Sequence, residues 1–412
     1  GPSPAGHFQR RAPMLIDALT LQLGYNATLV AIGAALLGVA AGATGTFLFL
    51  GKRALVSDAV SHATLPGVGL AFIAMVALGG DGRNLPGLLI GSAVSAGVGL
   101  LCVSWLTRRT RLTEDAAIGA VLSVFFGAGV VLLTVIQTMT AGRQAGLETF
   151  LLGSTAGMLR ADALVIAAGG AVVLALVIVL RRPMSLVAFD PDFATAQGMD
   201  VRKMELAMMG LAMAVTVVGL KVVGLILIVA LLIIPPVAAR FWSDRVGHVV
   251  MLAGLMGGVS GYAGAAISAT APDLPTGPII VLVAFALFAL SLLAAPGRGV
   301  LAALIRHRRF QARVHLRQGL LALAHGQPIY ERLTLRLMRR AGYVRPDGVA
   351  TEAGRAQATR AALDERRWEM LRGDPRHEAA AALYDGLTPL DRVLTPDQIT
   401  ELDRGLRPEG AT

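Results

Sequence analysis

Apolar residues dominate nine stretches of the chain, at about 27–50, 55–79, 86–107, 116–139, 161–180, 204–220, 222–239, 248–269 and 278–295. A helix needs roughly 20 mostly apolar residues to cross the hydrocarbon layer, and each stretch predicts one such helix. The weakest division is Met204 to Ala239, too long for one ordinary helix and short for two, and we place the break near Gly219–Gly224. Nine spans follow, with eight as the nearest alternative. Beyond Pro296 the pattern changes, and Arg298 to Thr412 is dense in Arg, Asp and Glu. Glu331 to Ala341 reads as a helix and Gly342 to Thr351 as two short strands around Pro346-Asp347-Gly348. A further amphipathic helix runs from about Glu352 to Arg372. Helices followed by a small wing suggest a winged-helix module. The expected fold is therefore an all-α polytopic membrane protein of eight to nine transmembrane helices followed by a small α+β winged-helix-like domain. The expected boundaries are a disordered or extraneous extension at 1–13, a transmembrane domain at 14–297 and a polar domain at 298–412.

Composition supports the membrane reading. Hydrophobic residues make up 55% and charged residues only 16%, against about a quarter charged in soluble domains. Mean hydropathy is +0.65. Asn26 to Leu50 is too long for the core of a signal peptide and is followed directly by more spans. The net charge of +10 is unevenly distributed. Lys52-Arg53, Arg108 to Arg111, Arg181-Arg182, Arg240 with Arg245, and Arg306 to Arg309 follow alternate spans, while the intervening connections carry few positives. Loops that stay in the cytoplasm accumulate Lys and Arg, so the amino terminus is expected outside and the polar domain inside. A single cysteine, Cys102, excludes an intramolecular disulfide and any multi-cysteine metal site. Gly38/Gly42, Gly254/Gly258 and Gly257/Gly261 are spaced for close approach of membrane helices.

The most informative segment is Ser57-Asp58-Ala59-Val60-Ser61-His62-Ala63-Thr64-Leu65-Pro66-Gly67. Asp58 and His62 share one helix face within an otherwise uncharged run, where an ionisable residue by default marks an ion or substrate path. A carboxylate with a neutral imidazole also suits a divalent metal. The blander alternative is that Asp58 caps the helix and His62 bonds a neighbouring carbonyl. Pro66-Gly67 would loosen the helix just beyond the pair. Glu114 and Asp115 open the fourth span and fit a helix dipole; Lys221 is expected near the outer surface, and His248 at an interface. Asp273 precedes a rigid Leu-Pro-Thr-Gly-Pro turn, where it faces either an incoming cation or water. Gly45 to Arg53 lacks the spacing and the Ser or Thr of a phosphate loop, so this chain has no nucleotide site of its own. Asp190-Pro191-Asp192-Phe193, continuing to Gln197 and Gly198, reads as a short amphipathic helix in a cytoplasmic loop, suited to force transfer from another subunit.

From about Met14 to Pro296 the chain resembles the manganese/zinc/iron branch of ABC-importer permeases. The matching residues are Ser57 to Gly67, Glu114 to Gly119, Ala188 to Ala194, Lys221 to Gly224 leading to Leu232 to Pro235, and Asp273 to Pro278. The resemblance implies a non-catalytic permease of type II importer fold in a bacterial cytoplasmic membrane, moving Mn2+, Zn2+ or Fe2+ by alternating access. It implies no permanently bound cofactor. Its implied partners are two ABC ATPase subunits, an extracytoplasmic metal-binding protein, a second permease copy or paralogue, and membrane lipid. Asp58 and His62 then lie on the metal path and Asp190 to Met199 forms the coupling helix. Pro235-Pro236 departs from the single proline more usual in the family. The tail is similar to the winged-helix and dimerisation regions of diphtheria-toxin-repressor-type metalloregulators, through Leu337 to Arg345, Thr351 to Ala356 and Arg367-Trp368-Glu369. The regulators usually carry a histidine ahead of the Trp-Glu pair, where this chain has Asp364 to Arg367, so an intact metal sensor is not expected. Nucleic acid is not an expected partner. The competing readings are a secondary metal transporter, which should show inverted repeats and several intramembrane acids, and a membrane-anchored regulator with a DNA-reading tail.

Overall fold

A computed structural model describes residues 25–80, 82, 84–139, 160–223, 225–270, 274–373, 385–388 and 390–406. It divides into two compact units that meet at Val300/Leu301.

The first unit is helical throughout its long apolar stretches, because a backbone removed from water must satisfy its N–H and C=O groups within the segment. Its helices are α1 (Tyr25–Leu50), α2 (Ala54–Ala77), α3 (Leu85–Arg109), α4 (Glu114–Thr138), α5 (Arg160–Phe189), α6 (Pro191–Ala196), α7 (Val201–Val223), α8 (Leu225–Arg240), α9 (Val246–Ser268) and α10 (Thr276–Ala294). Among the described residues, eight helices are long and apolar enough to cross a membrane, and α8 is a shorter apolar one. Helix α7 ends at Val223 and α8 begins at Leu225, at the edge of the interval where the sequence places a division. Boundaries have local causes. Thr113 caps α4 by accepting the Ala116 N–H, with Glu114 and Asp115 in the first turn; Asn84 caps α3, which ends on Arg108 and Arg109.

Two packed halves make up this unit. In one, α1 is the hub for α5, α7, α8 and α9, and α10 packs on α8 and α9, with Leu37, Phe47, Val215, Ile228, Leu231 and Ile280 in the shared core. In the other, α2 packs with α3 and α4 around Val60, Val68, Phe72, Val103 and Ile136. Helix α7 joins them: Leu211 and Val215 belong to the first core, Met209 and Ala212 to the second. The α1–α9 seam is made backbone to backbone. A Cβ on Gly38 would fall on the Gly257 carbonyl, one on Gly42 on the Ala253 carbonyl, and one on Gly261 on the Ala34 carbonyl. The spaced glycines noted in the sequence therefore face one another across this seam.

The paired prolines of α8 also have a packing role. Pro235 and Pro236 lack the N–H groups that would bond the carbonyls of Leu231 and Leu232. The freed Leu232 carbonyl is where α1 comes closest, because a Cβ on Gly45 would land on that oxygen. None of the described residues of α8 is exposed.

The second unit contains the remainder of α11 (Val300–Ala324), then α12 (Arg332–Arg340), α13 (Glu352–Gly373), a short 3-10 turn at Leu390–Arg392 and α14 (Pro396–Gly405). Leu371, Leu390, Leu394 and Leu402 form a small core. Arg367 crosses from α13 to α14 as a bidentate clamp on Asp403, with both N···O distances 2.7 Å, and also reaches Asp364 at 3.2 Å. The guanidinium pKa is raised, chiefly by the Asp403 hydrogen bonds. The expected α+β character is not found: no strand occurs among the described residues, and the expected wing is reduced to one antiparallel bridge, Val344 to Ala350. Arg345 N–H donates to Val349 O and Thr351 N–H to Tyr343 O, both at 2.9 Å. Pro346 cannot donate, and Gly348 at φ +87° turns the chain at once, so no ladder develops.

Candidate functional site

Asp58 and His62 lie on α2 with Asp58 Oδ1 3.5 Å from His62 Nε2. Their side chains are 39% and 20% exposed, respectively, so the pair is accessible yet not on open surface. The His62 ring stands edge-on to Phe126 of α4, with centroids 5.0 Å apart and an interplanar angle of 84°, which fixes its orientation. Both parts of the blander alternative fail geometrically. The N-cap of α2 is Arg53, a full turn ahead of Asp58. His62 Nδ1 is buried and has no hydrogen-bond partner. An unpartnered buried nitrogen is costly, and the other ring nitrogen, Nε2, is the one beside the carboxylate, where the two side chains together offer a ligand position.

A third donor is built into the backbone. Pro66 sits within α2 and has no N–H for the carbonyl four residues back, which is that of His62 itself. The neighbouring hydroxyls do not compete: Ser57, Ser61 and Thr64 donate to the carbonyls of Ala54, Ser57 and Ser61. One segment thus presents a carboxylate, an imidazole and a freed carbonyl oxygen. Among the described residues no cluster of three or more His, Cys, Asp or Glu could hold a metal, so a cation here would also need water, backbone oxygens or another chain. Asp273 and the Lys221 side chain lie outside the described residues; His248 is exposed.

The start of α2 is anchored by charges that the sequence does not pair. Arg53 donates to Glu205 Oε1 at 2.9 Å and lies 3.4 Å from Glu114 Oε1, while Arg108 is 3.9 Å from Glu205. The cluster joins α2, α3, α4 and α7 at one end of the bundle. Glu114 is thus an ion-pair partner as well as a helix-dipole acid. The only sequence signal for Glu205 was its place one turn into an apolar span, beside Lys203. Asp58 lies about 8 Å further along α2, so the cluster fixes the helix that carries it. Glu205→Gln is expected to cost about 1–3 kcal/mol, because Arg53 loses its charged acceptor. A melting temperature in detergent that stays within a degree of the parent would show that the cluster anchors nothing.

The short helix α6 is tightly formed. Asp190 caps it by accepting the Phe193 N–H at 2.9 Å, Pro191 opens it, and Gly198 at φ +81° ends the turn beyond Gln197. Ala194 is buried in the α1-centred core. Phe193 and Phe189 are half exposed. A loop helix keyed to the bundle by Ala194 presents the aromatic side chain of Phe193, with Phe189 at the end of α5 just ahead of it.

The model of the ABC 3 transport family matches residues 25–295, covering the first unit up to its last helix and leaving the second outside. The manganese transport system membrane protein MntC of Bacillus subtilis is 41% identical over 310 residues, covering 75% of this chain and 70% of that protein. The zinc transport system membrane protein TroC of Treponema pallidum is also 41% identical, over 285 residues, covering 69% of this chain and 94% of that protein. Among solved structures, PsaBC from Streptococcus pneumoniae in complex with Fab superposes with a TM-score of 0.59 at 30% identity, covering 69% of this chain and 96% of that one.

Proposed function

The chain belongs to the ABC 3 transport family, and from that premise we propose that it is the permease of an ATP-driven importer for a divalent transition metal. It is a non-catalytic transmembrane component of an ABC transporter. The observation that carries the metal reading is the Asp58–His62 pair, carboxylate beside imidazole Nε2, supported by relatives that serve manganese and zinc systems. Mn2+ is put first, because the manganese relative aligns over more of this chain; Zn2+ and Fe2+ are the alternatives. A carboxylate with an imidazole does not itself separate these ions. ATP hydrolysis belongs to separate ATPase chains, delivery of the metal to an extracytoplasmic binding protein, and the remaining ligands to water or a second permease copy. The ends bearing Arg53, Arg108 and, just after α6, Arg202-Lys203 face the cytoplasm, as their basic charge favours, and residues 298–412 act there as an interaction domain. Asp273 belongs to the outer entrance.

The test is uptake of radioactive Mn2+ into proteoliposomes holding the permease with its ATPase and binding protein, with Zn2+ and Fe2+ as competitors. Uptake is expected to need ATP and all three components; uptake driven by a proton gradient alone would identify a secondary transporter instead. For α6, Phe193→Ala is expected to weaken ATPase association by more than about tenfold, as loss of an aromatic anchor does, without lowering the permease's own melting temperature. Undiminished association and coupling would remove α6 from the contact.

A further inference from the structure

A large cavity lies away from Asp58 and His62, on the side of α1 that faces α5 and α9. It is a groove of about 880 Å3. Val39, Ala43 and Phe47 of α1 form its floor, Leu174 and Ile178 of α5 one wall, and Val250 with Leu255 of α9 the other. Ile178, Met251 and Leu255 are exposed at its mouth, so the groove opens outward from the bundle. Along α5 it runs from Leu174 to Phe189, about 22 Å at the rise of an α-helix. Arg181 and Arg182 stand about midway, leaving about 10 Å of apolar groove toward Leu174 for the headgroup-proximal part of an acyl chain lying along the helices.

Charge is placed at one level only. Arg181 and Arg182 both line the groove, both are exposed, and neither has an ion-pair partner among the described residues. Opposite them, Val246 and Gly247 bring in the first turn of α9, whose free N–H groups and dipole favour an anion. Phe47, four residues before the α1–α2 turn, shares this level, so the arginines sit at the end of the bundle that carries Arg53. An apolar slot with two unpaired guanidiniums about midway along it, facing a helix amino terminus, matches the junction of an anionic phospholipid, where hydrocarbon meets phosphate.

We propose that this groove binds one anionic phospholipid, an acyl chain lying on α1 between α5 and α9 and the phosphate held by Arg181 and Arg182. The bound lipid then bridges α5 and α9, which flank α1 but are separated here by the groove.

The experiment uses the full chain purified in detergent and exchanged into mixtures of phosphatidylglycerol and phosphatidylcholine, with retained lipid read by native mass spectrometry. The parent is expected to retain one phosphatidylglycerol in preference to phosphatidylcholine. Arg181→Gln and Arg182→Gln should each reduce that preference about fivefold. Gly247→Leu supplies the second arm. The position where its Cβ would go is open and leucine favours the helix, so the variant should fold normally while filling the groove, losing the retained lipid at an unchanged melting temperature. Equal retention of the two lipids by the parent, or a preference unchanged in all three variants, would overturn the proposal. So would a Gly247→Leu protein that keeps its lipid but no longer assembles with the ATPase or with a second copy, since the groove would then belong to a protein partner.

Discussion

Asp58→Asn is expected to reduce ATP-dependent metal uptake at least about a hundredfold, more than loss of a group supporting a ligand, while leaving the complex assembled and hydrolysing ATP. The amide keeps the volume of the carboxylate but removes the charge that attracts and holds the cation. An ionised side chain within a span is costly, so the variant should melt at the parent's temperature or above it. That pairing of lost uptake with retained stability separates a transport role from a structural one. His62→Ala should lose uptake to a similar degree, because the imidazole beside the Asp58 carboxylate is lost. Pro66→Ala should have an intermediate effect, since it restores an N–H to the His62 carbonyl. Uptake within twofold of the parent for both Asp58→Asn and His62→Ala would remove the pair from the path.

Gly257→Leu carries the second large effect, and here the expected loss is of the fold itself. Even a Cβ at this position meets the Gly38 carbonyl, and the reverse holds for Gly38. The obstacle is backbone on both sides, so no side-chain rotation relieves it. A leucine must push α1 and α9 apart along the seam that also holds Gly42 and Gly261, at a cost above about 3 kcal/mol. Position 254 is the internal control, because a Cβ there reaches Val39 only at 3.5 Å, ordinary van der Waals contact. Gly254→Ala should accumulate and melt like the parent, whereas Gly257→Leu should fail to yield folded protein in detergent. A normal melting curve for Gly257→Leu would mean that the seam is looser than described.

What could be read from the sequence divides by range. Most helix positions and the shared face of Asp58 and His62 follow from local periodicity and are present in the structure, but α5 runs past its expected end near residue 180 to Phe189 and takes Arg181 and Arg182 into the helix. The glycine pairs were legible as packing surfaces, yet which helices they join was not, since spacing says nothing of the partner. The Arg53–Glu205 pair spans 152 residues, and nothing in either neighbourhood points to the other. The lipid groove was invisible for the same reason: it is made by three helices, each of which reads as an ordinary span. The wing failed differently. The residues around Pro346-Asp347-Gly348 do make the turn, but turn chemistry specifies a reversal and leaves the length of pairing to the flanks, which here supply a single bridge.

The shielding of α8 has a consequence for the membrane. At 16 residues it is about 24 Å long, several ångströms less than the hydrocarbon layer it would have to match. A lipid-facing helix of that length would thin the bilayer or tilt against it. Because none of its described residues is exposed, α8 has little such mismatch to resolve, and its motions are opposed mainly by neighbouring helices rather than by lipid deformation. Varying acyl-chain length in the reconstituted membrane should therefore act on the outer helices α4, α5 and α10 and leave the α1–α8 contact at Gly45 and Leu232 unchanged.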